Sequence, residues 1–129
     1  MSWASLLHNS EGIVAIYQGA PPDLAGVHVH EVVLHEDGPN LSLRLDLPRY
    51  PDSPPRKWVA KGFNTVQVEI SLGGIKTVTL NGFGTHVTAD IELSKRETVT
   101  LDVVSPETHI SATADVVFIS KLTAYSNQS

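Results

Sequence analysis

Residues 41–47 read Leu41-Ser42-Leu43-Arg44-Leu45-Asp46-Leu47, an unbroken alternation of leucine with a polar residue. Successive side chains of a strand point to opposite faces, so this segment turns its leucines to one side and Ser42, Arg44 and Asp46 to the other. One face is core and the other is solvated. The same period returns as Val66, Val68, Ile70 and Leu72 against Thr65, Gln67, Glu69 and Ser71, and as Val78 and Leu80 against Thr77 and Thr79. It continues in Ile91 and Leu93, in Val99, Leu101 and Val103, and in the run Ile110, Ala112, Ala114 and Val116. Upstream, Gly26 to Glu36 reads as a first strand with a less regular alternation.

Turn residues separate these runs: Glu36-Asp37-Gly38-Pro39-Asn40, Gly73-Gly74, Asn81-Gly82, Lys95-Arg96 and Ser105-Pro106-Glu107. Each predicts a hairpin, and their spacing favours an antiparallel meander. Only the N-terminal segment has helical spacing. Ile13, Val14, Ile16 and Tyr17 form a stripe behind Asn9 and Ser10, which can cap a helix start, and before Gly19, which can close it. A short helix is expected from about Ser10 to Gln18. Beyond Ala20-Pro21-Pro22 no segment has helical period, so parallel βαβ units and doubly wound nucleotide-binding folds are excluded. The expected fold is mainly β, an antiparallel meander sheet or sandwich of six or more strands with one short N-terminal helix. Pro48 to Pro55, with four prolines in eight residues, is either a rigid spacer across the end of the sheet or a recognition surface.

The chain has 129 residues, the size of one domain, and no repeat or shift of composition divides it. A single domain over 1–129 is expected. With no cysteine, thiol nucleophiles, disulfide scaffolds, zinc ribbons and iron-sulfur clusters drop out, and a cytoplasmic location fits best. Nine Lys and Arg against fourteen Asp and Glu give a net charge of −5, and basic residues never run beyond a pair. Nucleic acid and anionic membranes are therefore poor partners. Met1 to Leu7 carries no basic leader pattern, and apolar stretches are too short to span a bilayer.

Candidate chemistry is sparse. His28-Val29-His30 places two imidazoles on one face of a strand, about 6.5 to 7 Å apart along the backbone. A metal site needs a third ligand, and His86, His109 and Glu31 stand at no recognised spacing from that pair. No metal and no other cofactor is expected, and both histidines read as surface residues of a strand whose other face is Val27, Val29 and Val33. No Gly-x-Ser-x-Gly elbow activates a serine. The glycines of Gly73-Gly74 and Gly82-Phe83-Gly84 lie between strands and do not open a phosphate-binding helix. Paired carboxylates for glycoside hydrolysis, such as Asp90, Glu92 and Asp102, have no accompanying cleft signature. No catalytic residue is assigned.

Period two sends Asp46, Glu69, Asp90, Glu92, Asp102 and Asp115 to the polar side, with Arg44 as the clear basic exception. A solvated face needs polar residues in any case. A face of one sign also steers basic macromolecules and speeds their association, which makes these six the candidate partner-binding residues.

Trp3-x-x-Leu6-Leu7-x-Asn9, the short helix, Pro21-Pro22-x-Leu24, the strand ending in His35 to Gly38, Leu41 to Leu47, Pro54-Pro55-x-x-Trp58 and Phe63-Asn64-Thr65-Val66-Gln67-Val68 together resemble the immunity protein 50 family. The likeness covers about the first 80 residues. It implies an immunity protein of a bacterial polymorphic toxin system, a non-enzymatic inhibitor whose partner is a cognate protein toxin. The toxin's chemistry and the oligomeric state stay open. The alternative is a carbohydrate or small-ligand-binding β domain, possibly hydrolytic, with Trp58, Tyr50 and Phe63 stacking in a pocket. Burial of Trp58 decides between a core anchor and an exposed stacking ring.

Overall fold

The computed structural model describes residues 3–128. A single 3-10 turn (Trp3–Leu6) and helix α1 (Glu11–Ile16) precede strands β1 (Val27–His35) and β2 (Asn40–Asp46). Helix α2 (Arg56–Lys61) leads into β3 (Thr65–Gly73), β4 (Thr77–Asn81), β5 (Val87–Lys95), β6 (Val99–Val104), β7 (His109–Ala114) and β8 (Val116–Tyr125). Among the described residues, these eight strands form one antiparallel sheet in the order β4-β7-β6-β5-β1-β2-β3-β8. The mainly β expectation with a short N-terminal helix holds.

The sheet has two halves that meet at a short seam, where Val27, His28 and Val29 pair with Ala89, Thr88 and Val87. At the far corner the chain passes from one half to the other twice, between β3 and β4 and between β7 and β8. Asp115 N–H donates to the Gly73 carbonyl there at 3.0 Å, and Lys76 N–H to the Thr113 carbonyl at 2.8 Å. Leucines 41, 43 and 45, Val68, Ile70, Leu72, Val99, Leu101, Val103 and Ile110 join one continuous core that both halves share. The alternation first read at residues 41–47 is therefore a core face. Trp3, Ile13 and Trp58 close over it, and Trp3 Nε1 donates to the Pro22 carbonyl at 2.8 Å.

Several local expectations are corrected. Gly73-Gly74 and Asn81-Gly82 do not make hairpins: β4 pairs with β7, and neither β3 nor β5 is its neighbour. Both sites have a left-handed glycine, Gly74 at φ +68 and Gly82 at φ +78, and at both another segment crowds the glycine. A positive φ is legible in sequence, but it does not say which strand comes alongside. The run ending in Val116 is not one strand either. The chain turns at Asp115, and Val116 begins β8, which pairs along all of β3 and was not anticipated. Helix α2 is likewise an addition. Six residues are too few to show a period, although Pro55 before it and left-handed Gly62 after it carry the start and stop chemistry of a helix. Helix α1 is shorter than expected, because Gln18 at φ 53 and Gly19 at φ 85 end it. Ser10 makes no side-chain cap. Asn9 instead holds β8, donating to the Ile119 carbonyl and accepting from the Ile119 N–H, both at 2.9 Å. The irregular alternation of β1 is a bulge at His30, where the register steps from Val29 opposite Leu45 to Glu31 opposite Arg44.

Candidate functional site

Residues directly opposite each other on neighbouring strands share a face, so the strand register lays out the polar side row by row. In the half formed by β1, β2, β3 and β8, one row is His28, Asp46, Gln67 and Thr123, and another is Glu31, Arg44, Glu69 and Lys121. The second row alternates in sign. Arg44 Nε lies 3.6 Å from Glu31, and Glu69 accepts from the Ser120 hydroxyl at 2.6 Å. In the other half, Asp90 lies opposite Val104, and Glu92 opposite Asp102, which in turn faces Ser111. Like charges directly opposite weaken a sheet. Asp102 accepts from the Ser111 hydroxyl, and His109 Nε2 is 3.7 Å away.

The six carboxylates of the polar side thus have unlike surroundings. Asp90, Glu92 and Asp102 line one groove of about 440 Å³ together with Trp3, Leu24 and Asp23. Asp23 escaped the sequence reading because it belongs to the loop before β1 and has no strand period. That loop is tied down by Ile91 N–H donating to the Leu24 carbonyl at 2.7 Å and Gly26 N–H donating to Asp90 at 2.9 Å. Glu69 sits in the charge-alternating row. Asp115 lies at the far corner, 3.3 Å from the Lys76 ammonium. Asp46 is only 6% exposed.

Asp46 is instead the centre of a hydrogen-bonded knot. His30 Nε2 donates to its Oδ2 at 2.8 Å, Gln67 Nε2 to its Oδ1 at 3.1 Å, and the Tyr125 hydroxyl reaches across β3 to the same Oδ2. Burial opposes its ionisation, but the bonds from Tyr125, His30 and Gln67 prevail and hold its carboxyl below the usual carboxylate range. Burial and the Asp46 charge push Tyr125 up to about 12. The bulge tips His30 towards its neighbour, so the His28 and His30 rings stand 4.1 Å apart between centroids, and the His86 ring lies 4.4 Å from His28. Burial, then the nearby His30 and His86, lower the His28 pKa and favour its neutral imidazole. Of the two surface environments open to these histidines, solvated or packed, the half-buried stacked pair takes the packed one.

Trp58, 7% exposed, is a core anchor with Tyr50 beside it at 6.4 Å between ring centroids. Phe63 packs partly buried against the same core. Trp58 is therefore not an exposed stacking ring.

What emerges is a β-sheet protein that buries its aromatic anchors and turns a charged face outward. The chain belongs to the immunity protein 50 family, whose model matches residues 9–125. The match extends through β8, well beyond the first 80 residues. No curated protein and no solved structure matches the chain. Among the described residues no helix is long and apolar enough to cross a membrane.

Proposed function

We propose that this protein neutralises a cognate bacterial toxin by stoichiometric binding, without catalysis, in the cytoplasm of the cell that makes the toxin. Membership of the immunity protein 50 family over nearly the whole chain carries the reading. The contact surface is the acidic outer face. Its centre is the groove of Asp90, Glu92, Asp102 and Asp23, where Glu92 and Asp102 stand opposite each other without a lysine or arginine in the pairing rows. A basic partner relieves that repulsion on binding, and the negative field speeds its approach. Glu69, between Arg44 and Lys121 in its row, and Asp115, beside Lys76, add less to that field, and Asp46 keeps its part of the sheet in shape.

The first thing to establish is whether a neighbouring open reading frame, upstream or downstream, encodes a secreted toxin, which is then the partner to test. Asp90→Asn, Glu92→Gln and Asp102→Asn, singly and together, are expected to slow association. Raising ionic strength from about 0.01 to 0.15 M, which shortens the screening length from roughly 30 to 8 Å, is expected to do the same with little change in dissociation. Binding indifferent to salt and to replacement of all six polar-face carboxylates would reject the acidic face and move attention to the loop from Pro48 to Pro55. Turnover of a substrate, or protection without complex formation, would reject stoichiometric inhibition itself.

A further inference from the structure

We propose that His28, His30 and Asp46 form a binding site for a divalent transition metal of the zinc type, with the His86 imidazole at its edge. From sequence no third ligand could be placed beside the His28-His30 pair. The fold supplies it from β2: His28 and Asp46 are direct cross-strand partners, and the bulge at His30 turns that ring onto the same spot. One donor atom from each of the three residues lies within 4.8 Å of the others. Donors around zinc sit about 2.0 to 2.2 Å from the ion, so a tetrahedral set is spaced by roughly 3.3 Å. The His30–Asp46 pair, hydrogen-bonded at 2.8 Å, opens slightly and releases its shared proton to solvent as the ion enters, and side-chain rotation closes the wider spacings.

The chemistry of the donors selects the ion. Two imidazoles and one carboxylate suit zinc, cobalt, nickel or copper, whereas calcium and magnesium take sets of oxygen atoms. Asp46 already has the supporting shell a ligand carboxylate requires, with Gln67 and Tyr125 both donating to it. The His28 ring stands between two other imidazoles, 4.1 Å from His30 and 4.4 Å from His86 between centroids, so further nitrogen donors are close at hand. The position adds a structural role. The site stands where β1 crosses from β2 to β5, at the short seam joining the halves of the sheet. An ion there would tie β1 to β2 beside that three-residue seam.

The test uses the full chain, stripped by chelator and titrated with zinc chloride by calorimetry, and separately with cobalt chloride by visible absorption. One zinc per chain is expected, with a rise in thermal midpoint, and cobalt is expected to give the ligand-field bands of a site with nitrogen and oxygen donors. His28→Ala is expected to weaken zinc at least about tenfold, and Tyr125→Phe by about 10- to 100-fold through its hold on Asp46. His35→Ala, on an exposed histidine of the same strand, is expected to leave affinity unchanged. Calcium and magnesium in excess are expected not to compete. Far-ultraviolet circular dichroism of each variant checks that the sheet persists. Should His28→Ala unfold, the cobalt spectrum of the unaltered chain decides. Substoichiometric zinc, a featureless cobalt spectrum, or equal affinity in His28→Ala and the unaltered chain would overturn the site.

Discussion

At the scale of single residues, glycine and tyrosine show how much depends on surroundings. Gly62 and Gly82 both have positive φ, at +69 and +78, yet a Cβ on Gly62 would meet nothing within 4 Å, while one on Gly82 would drive into the Glu107 carbonyl oxygen. Gly62→Ala should cost only the left-handed backbone term, about 1 to 2 kcal/mol. Gly82→Ala adds a clash with backbone that cannot swing aside, so its denaturation midpoint should fall clearly below that of Gly62→Ala. Equal midpoints would mean that the corner at Gly82 yields freely. Tyr17 supplies a pH dependence. Its hydroxyl donates to the Arg49 carbonyl at 2.6 Å, and burial, only partly offset by the Arg49 guanidinium and reinforced by Tyr50, pushes it up from 10.0 to about 12. Because the folded chain holds this proton more tightly than the unfolded chain, its contribution is complete below pH 10 and is lost as pH rises from there towards 12. Urea unfolding at several alkaline pH values should show stability falling in that window, with a shallower fall in Tyr17→Phe; Tyr125 titrates in the same range and accounts for part of what remains.

At the scale of elements, the segments without a legible period are the ten-residue strand β8 and the short helix α2. Helix α2 has six residues, and Trp58 is its one buried side chain. Removing that ring should cost about 3 to 5 kcal/mol, because the helix has nothing else to press into the core. A loss below about 1 kcal/mol on chemical denaturation of Trp58→Ala would show that α2 is held by its flanking prolines instead. Asn9 plays the part of a strand edge, pairing both the N–H and the carbonyl of Ile119 from a residue over a hundred positions away. Asn9→Ala leaves both groups without that partner and should cost about 1 to 3 kcal/mol, with hydrogen exchange at the Ile119 amide speeding first. Unchanged exchange there would count against the latch. As an asparagine before a helical stripe, Asn9 carried a cap signal, and the signal was sound about its preference for backbone groups while silent on whose backbone. Strand β4 shows the converse. Its Val78 and Leu80 belong to the face that is core elsewhere, but as part of an edge strand they remain 40% and 45% exposed.

At the scale of the whole molecule, the two halves share one core and cannot separate without exposing it, so urea and heat should each unfold the chain in one transition seen alike by fluorescence and circular dichroism. Two resolved transitions would mean that the β1–β5 seam divides independent units. The amino-acid sequence by itself determined four strands and their buried faces. The period-two patterns at 41–47, 66–72, 99–103 and 110–114 became β2, β3, β6 and β7 because alternation is a local property of a pleated chain and needs no knowledge of neighbours. It also carried the family resemblance, in the short apolar landmarks from Trp3 to Val68. Only the tertiary structure decided which strands pair: that β4 lies beside β7, that β8 closes on β3, and that the turn at Asp115 separates two strands. Pairing follows from long-range burial, and a glycine's freedom at a corner is the same whichever strand arrives. The same limit governs the polar face. Six carboxylates could be assigned to one side, but only the register put Glu92 against Asp102, sank Asp46 beneath three donors and carried it to His28 and His30, because cross-strand neighbours are chosen by the sheet and not by the segment that bears them.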